Sequence, residues 1–194
     1  MLSCARFISV AGHTMREGKW EKKAYKGIEI HGKTLGIVGF GRIGQALGRM
    51  AKGMGMNVIA FDIHHVPGIE EQLGIPYVEM DELLAKSDFI SVHAPAVDGG
   101  KLINAENIAK MKDGVIIINT SRGSNVDEDA LLEALNSGKV RSAGLDVFAD
   151  EPATNHALYS HPMVSCTPHI GAATKEAQTR IGAEIVDIIG KFFA

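Results

Sequence analysis

From residue 35 the chain alternates short apolar runs with longer helical stretches. Residues 35–38 form an apolar run too short for a helix, and a glycine ends it. Helix-forming residues 42–53 follow, then a second apolar run at 57–61. A weaker strand is predicted at 77–78, a helix at 80–86, a strand at 89–92 and a helical stretch at 104–111. Residues 115–118 are the most β-branched run in the chain. Residues 127–137 read as a helix with Asp127, Glu128 and Asp129 at its positive end. A strand at 142–147, a short strand near Val164 and a helix over 173–192 complete the pattern. Near-continuous apolar strands alternating with helices predict an α/β fold, a doubly wound parallel sheet covered on both faces. Ahead of this rhythm, Leu2, Ala5, Phe7, Ile8, Ala11 and Met15 recur at close to helical spacing, which predicts one amphipathic helix over 2–17 ended by Gly18. Residues 19–33 are basic and irregular; Glu17 and Glu21 interrupt the charge, so they read as a solvated arm. Met50, Met54, Met56 and Met111 are expected to fill the core.

Composition narrows the classes. The 194 residues suit one domain, and 45% apolar with 22% charged residues excludes a disordered chain. A net charge of −3 argues against nucleic acid as partner. The two cysteines, Cys4 and Cys166, lack metal-ligand spacing; they are expected as small hydrophobes in a reduced, cytoplasmic setting, with no metal site. No apolar run is long enough to cross a membrane. Arg6 interrupts the apolar start, so a helix explains it better than a signal peptide. The 22 glycines follow no fixed period and read as punctuation between short elements.

Gly39, Gly41 and Gly44 form a G-x-G-x-x-G directly after the first strand, opening a helix. Gly39 permits the turn, Gly41 lets backbone approach a pyrophosphate, and Gly44 lets helix pack on strand. The backbone amides of Arg42 and Ile43 are the expected phosphate donors at the helix N-terminus. Asp62 lies at the end of the second strand, where a carboxylate accepts from both ribose hydroxyls of adenosine and repels a 2′-phosphate. The fold is therefore expected to be Rossmann-type, and the cofactor NAD rather than NADP. His64 and His65 could soften that preference if protonated; as loop histidines without a role they have a simpler account. A methyltransferase also uses a glycine turn and an acid, but has no need of what comes later in the chain.

Three polar groups follow later strands. Arg122 lies just past the β-branched run, Asp146 ends a strand with Glu151 five residues on, and His169 follows the short strand. An arginine can hold a carboxylate with two bonds, a histidine can move a proton near neutral pH, and a glutamate beside it fixes its tautomer. The set suits hydride chemistry on a hydroxy acid.

At these residues the chain resembles the nucleotide-binding domain of the D-2-hydroxyacid dehydrogenases. The matching stretches are Gly-Lys-Trp-Glu-Lys-Lys at 18–23, Gly-Lys-Thr-Leu-Gly-Ile-Val-Gly-Phe-Gly-Arg-Ile-Gly at 32–44, Asn-Thr-Ser-Arg-Gly at 119–123, Leu-Asp-Val-Phe at 145–148 with Glu151-Pro152, and Thr-Pro-His-Ile-Gly-Ala at 167–172. Thr-Lys-Glu-Ala-Gln at 174–178 tilts the resemblance toward members that oxidise 3-phosphoglycerate with NAD in serine biosynthesis. The resemblance implies that Arg122 binds the substrate carboxylate, that His169 takes the hydroxyl proton, and that Glu151 pairs with His169. It also implies that Asp146 contacts the nicotinamide carboxamide, and that Ala94, Pro95, Thr120, Ser121, His169, Gly171 and Ala172 line the cofactor cleft. Residues 2–20 match the family's homodimer contact. An NAD-responsive corepressor, or an enzyme for glycerate, lactate or glyoxylate, are the alternatives.

Departures are local, and one is large. The stretch 96–101 is shorter than the usual family loop and lacks its threonine; Ser124 replaces a common glycine and Ser121 a common alanine. The family's substrate domain, which flanks this region on both sides, is absent from residues 1–194. The chain is expected to bind NAD and to turn over poorly by itself.

Overall fold

In the computed structural model, which describes residues 1–96 and 100–193, the apolar runs form six parallel strands. They are β1 (Thr34–Val38), β2 (Asn57–Phe61), β3 (Phe89–Val92), β4 (Val115–Asn119), β5 (Val140–Leu145) and β6 (Val164–Cys166), in sheet order β2-β1-β3-β4-β5-β6. The order reverses between β1 and β3, the point at which open α/β sheets bind ligands. β3 and β4 are buried at every position, as strands covered on both faces must be. Leu35, Ile37, Phe89, Ile116 and Phe40 pack on one face of the sheet, and Ile90, Val92, Ile117, Leu83 and Leu131 on the other.

Helices α1 (Leu2–Arg6) and α2 (Ile8–Arg16) precede the strands; α3 (Arg42–Gly53), α4 (Ile69–Leu73), α5 (Met80–Lys86), α6 (Ala105–Lys110), α7 (Glu128–Ser137) and α8 (His156–Tyr159) connect them, and α9 (Lys175–Phe192) follows β6. The local signals act where the residue types require. Asp127 caps α7 by accepting from Ala130 N, and Asn104 caps α6 by accepting from Asn107 N.

Four expectations are corrected. The helix over 2–17 breaks at Phe7, whose φ of 54° ends α1 and starts α2. This lets Cys4 and Ala5 bury against the sheet while the Phe7 ring takes the Arg141 guanidinium at 5.4 Å. The weak strand at 77–78 is a single parallel bridge, Ala60 to Tyr77. The fifth strand runs Val140–Leu145 rather than 142–147, so Asp146 stands just past it. Met50 is 60% exposed on α3, whereas Met56 and Met111 are core residues. Cys4 is buried as expected, and Cys166 is half-buried. On α9, Ile181, Ile185, Ile188 and Phe192 are exposed. A salt bridge joins this helix to α3, Arg42 to Glu184 at 3.0 Å. Residues 97–99 of the shortened 96–101 stretch lie outside the described residues.

Candidate active site

The strand register builds one edge. Phe61, Val38, Val92, Asn119, Leu145 and Cys166 are successive partners across the whole sheet, at the C-terminal end of each strand. Every candidate residue follows this row by one to six positions: Asp62, then Gly39 to Gly44, Ala94 and Pro95, Thr120 to Arg122, Asp146 with Glu151, and His169 to Ala172. The topology therefore gathers residues scattered over more than 130 positions along one sheet edge, the glycine turn, Asp62, Ala94 and Pro95 at the β2–β1–β3 end and Arg122, Asp146, Glu151 and His169 at the β4–β5–β6 end.

The glycine turn has the shape a dinucleotide requires. Gly39 has φ +93°, and a Cβ there would meet Ala94 N at 2.5 Å and His93 C at 2.7 Å. A Cβ on Gly44 would strike the Gly39 carbonyl oxygen, so helix and turn touch backbone to backbone. Gly41 faces open space instead. No side chain caps α3 at Gly41, which leaves its first amides, those of Arg42 and Ile43 among them, available to an anion. Alongside lies a cavity of about 390 Å³ lined by Val38, Gly39, Gly41, Asp62, Ile63, His93, Ala94, Pro95 and Leu102. This cradle, with a carboxylate on one wall and apolar residues on the other, fits an adenosine diphosphate moiety.

Asp62 also holds the turn. Its Oδ2 accepts from Phe40 N at 2.6 Å and its Oδ1 from His64 N at 2.9 Å. The residue expected to read the ribose is thus oriented by the backbone of the turn it faces.

His93 lines the same cavity, and Nε2 meets Ser91 Oγ at 2.8 Å. Burial pushes its imidazole down to about 4, so the ring is neutral at pH 7. An unfolded imidazole titrates near 6.5, so below that value the unfolded chain binds the extra proton. The stability His93 contributes is complete above pH ~6.5 and falls as the pH drops toward 4, by roughly 2 kcal/mol between pH 7 and pH 5. Thermal melts of native chain and His93→Gln should show the native Tm falling more steeply over that range; parallel slopes would count against the assignment.

At the other end of the edge, His169 Nδ1 meets Glu151 Oε2 at 2.7 Å. The ring holds the Glu151 carboxyl below the ordinary carboxylate range. Glu151 Oε1 also accepts from Phe148 N at 3.3 Å, and Glu151-Pro152 is a cis bond. His169 has φ 53°, a conformation uncommon outside glycine, and the loop that imposes it is fastened by Asp146. Asp146 Oδ1 accepts from Thr167 Oγ1 at 2.5 Å and Ile170 N at 2.8 Å, its Oδ2 from Gly171 N at 2.8 Å, and its carbonyl from His169 N at 2.8 Å. Burial alone would raise this carboxyl; the three donors outweigh it and hold the group below its usual value. Beside the nicotinamide contact that the family resemblance implies for it, Asp146 clamps the loop that carries His169, a duty with no signal in the sequence. Beneath His169 and Glu151 lies a second cavity, about 460 Å³, walled by Phe148, Pro152, Ala153, Tyr159, Cys166 and Pro168.

Arg122 is exposed past β4, and its guanidinium donates to the Ser121 carbonyl at 2.7 Å. Ser121 is 8% exposed and its hydroxyl donates to Asn119 Oδ1 at 2.8 Å. Thr120 and Ala172 are exposed. Among the described residues no cluster of side chains could hold a metal ion, and no helix is long and apolar enough to cross a membrane.

Comparisons with known proteins agree with this geometry. The chain is 52% identical to a hydroxypyruvate reductase of Thermotoga maritima over 195 residues, covering 98% of this chain and 63% of that protein. It is 45% identical to a D-3-phosphoglycerate dehydrogenase of Mycobacterium tuberculosis over 190 residues, covering 97% of this chain and 36% of that one. It superimposes on the crystal structure of a glyoxylate reductase from Paecilomyes thermophila with a TM-score of 0.88 at 41% identity, over 94% of this chain and 56% of that chain. The chain thus spans between about a third and two thirds of the length of these relatives. The family model for the NAD binding domain of the D-isomer specific 2-hydroxyacid dehydrogenases matches residues 1–171, and the chain belongs to that family.

Proposed function

We propose that this chain is the cofactor-binding part of an NAD-dependent oxidoreductase acting on the CH–OH group of a D-2-hydroxy acid. The observation that carries the reading is the shared edge: an anion cradle with a ribose-facing acid at one end and a His169–Glu151 pair at the other. In this reading the amides of Arg42 and Ile43 hold the pyrophosphate, Asp62 the adenosine ribose, and Ala94, Pro95 and Thr120 the nicotinamide half. NAD, when bound, supplies the hydride acceptor. Arg122 pairs with the substrate carboxylate. Glu151 keeps a proton on His169 Nδ1, which leaves Nε2 to accept the substrate's hydroxyl proton or to return it. The exposed Trp20, Met15 and Ile8 support a homodimer through residues 2–20.

For the substrate we favour 3-phosphoglycerate, on the 174–178 stretch and the 45% identical relative. Hydroxypyruvate is the second reading. The 52% identical relative supports it, as does the cavity beneath His169, whose walls are apolar and whose rim carries Glu151, a poor neighbour for a phosphate. Calorimetric titration tests the cofactor half: NAD should bind the chain, and NADP at least ~10-fold more weakly. Equal affinity for both, or binding of neither, would overturn it. A substrate panel with NADH and the 2-oxo acids then separates phosphohydroxypyruvate from hydroxypyruvate.

A further inference from the structure

Asn125 has no part in the site described so far, yet it is fully buried beneath it. It closes the 3₁₀ turn Gly123–Asn125 that follows Arg122. Its Nδ2 donates to the Ala94 carbonyl at 3.0 Å and to Ser121 Oγ at 3.2 Å. Its backbone N donates to the Arg122 carbonyl at 3.2 Å, an oxygen that also accepts from Asn119 Nδ2 at 2.8 Å. Its backbone carbonyl accepts from Ile103 N at 2.9 Å. Its Oδ1, by contrast, is buried with no donor among the described residues. The amide cannot be turned round to relieve this, because the Ala94 carbonyl only accepts and requires the NH2 end.

A side chain needed only to fill space has no use for that oxygen. Leucine occupies nearly the same volume and leaves no unpaired acceptor, and an unpaired buried acceptor is costly. What asparagine adds is the two-pronged donor. That donor spans 31 residues of sequence and joins two loops of the edge. One is the loop after β3, where Ala94 abuts Gly39 of the phosphate turn. The other is the loop after β4, where Ser121, Asn119 and Asn125 bracket Arg122. We propose that Asn125 is a positioning residue for Arg122: its buried carboxamide ties the arginine's loop to the wall of the cofactor cleft, so that the substrate-binding cation is placed in register with the cofactor. The proposal rests on the roles given above to Arg122 and to the cleft.

The test is spectroscopic and uses the whole chain labelled with [15N]arginine. The Nε–H resonance of Arg122 is identified as the one lost in Arg122→Lys. Asn125→Leu keeps the packing and removes the donor; Asn125→Asp keeps the shape and sets an acceptor against the Ala94 carbonyl. Both should move the Arg122 resonance toward that of a freely solvated arginine. Both should also speed amide exchange at 121–124 by at least ~5-fold while exchange at 35–44 stays as in the native chain. An unmoved Arg122 resonance with unchanged loop exchange, in either folded variant, would overturn the proposal. So would a uniform rise in exchange across the chain, which marks a structural role alone. If the native chain fails to bind NAD, the cofactor reading fails, while the Arg122 comparison in the free chain still decides the role of Asn125.

Discussion

His169→Gln should abolish hydride transfer and leave NAD binding nearly intact. The two halves of this result have separate structural causes. The cofactor cradle is built from Gly39, Gly41, the start of α3 and Asp62, none of which touches the His169 ring. The ring instead bonds Glu151, and its loop is held by Asp146 through Thr167, Ile170, Gly171 and the His169 backbone. Those four contacts do not involve the imidazole, so a glutamine should leave the loop in place. A positioned acid–base group is worth roughly 10²–10⁴ in rate, and the loss should appear in the hydride-transfer step rather than in substrate affinity. The measurement is NADH consumption in a single turnover with hydroxypyruvate. It is made on residues 1–171 grafted into the Thermotoga maritima relative, which supplies the part of the site this chain does not span. Calorimetry of NAD on the 194-residue chain runs beside it. Turnover that persists in the variant would mean that another group moves the proton. A parallel fall in NAD affinity would mean that the loop, and not the ring, had been damaged.

The site was legible in the sequence to the extent that its chemistry needs particular residue types at strand ends. A glycine turn, an acid at the end of the next strand, and an arginine and a histidine after later strands are visible without coordinates, because apolar runs mark where each strand stops. The register then converts those positions into one edge. What escaped the reading depends on contacts remote in sequence. Phe7 sits in unbroken helical spacing, and its left-handed turn makes sense only with Arg141 over its ring and Ile28 bonded to the Ala5 carbonyl. The clamp made by Asp146 is hidden from its position at a strand end, because its donors lie 21 to 25 residues on, in the histidine loop. Asn125 carries no signal at all, since its partner is a backbone carbonyl 31 positions earlier. Met50 followed helix spacing closely enough to pass for core, yet α3 presents its buried side through Gly44, Gly48 and Ala51. The small residues, not the methionine, mark where that helix meets the sheet.

Asp62→Ala should invert or erase the preference for NAD over NADP, and the structure dictates how the result must be read. A carboxylate accepting from ribose hydroxyls contributes charge-assisted bonds of about 1.5–3 kcal/mol, so NAD affinity should fall roughly 10- to 150-fold. The same carboxylate, however, holds Phe40 N and His64 N, and its loss also loosens the turn. A fall in NAD affinity alone therefore does not separate the two duties; the ratio does. Loosening the turn should weaken NAD and NADP together, because in the proposed reading both would place a pyrophosphate on the amides of Arg42 and Ile43. Removing the negative charge helps only the cofactor with a 2′-phosphate, and His64 and His65 stand beside it in the same loop. The NAD-to-NADP ratio should therefore change by at least ~10-fold, with NADP affinity unchanged or improved. Calorimetric titration of both cofactors on the native chain and the variant supplies the four constants. An unchanged ratio with both affinities reduced would assign Asp62 to the turn alone, and the selection against NADP would then have to reside in the shape of the cavity between Ile63 and Pro95.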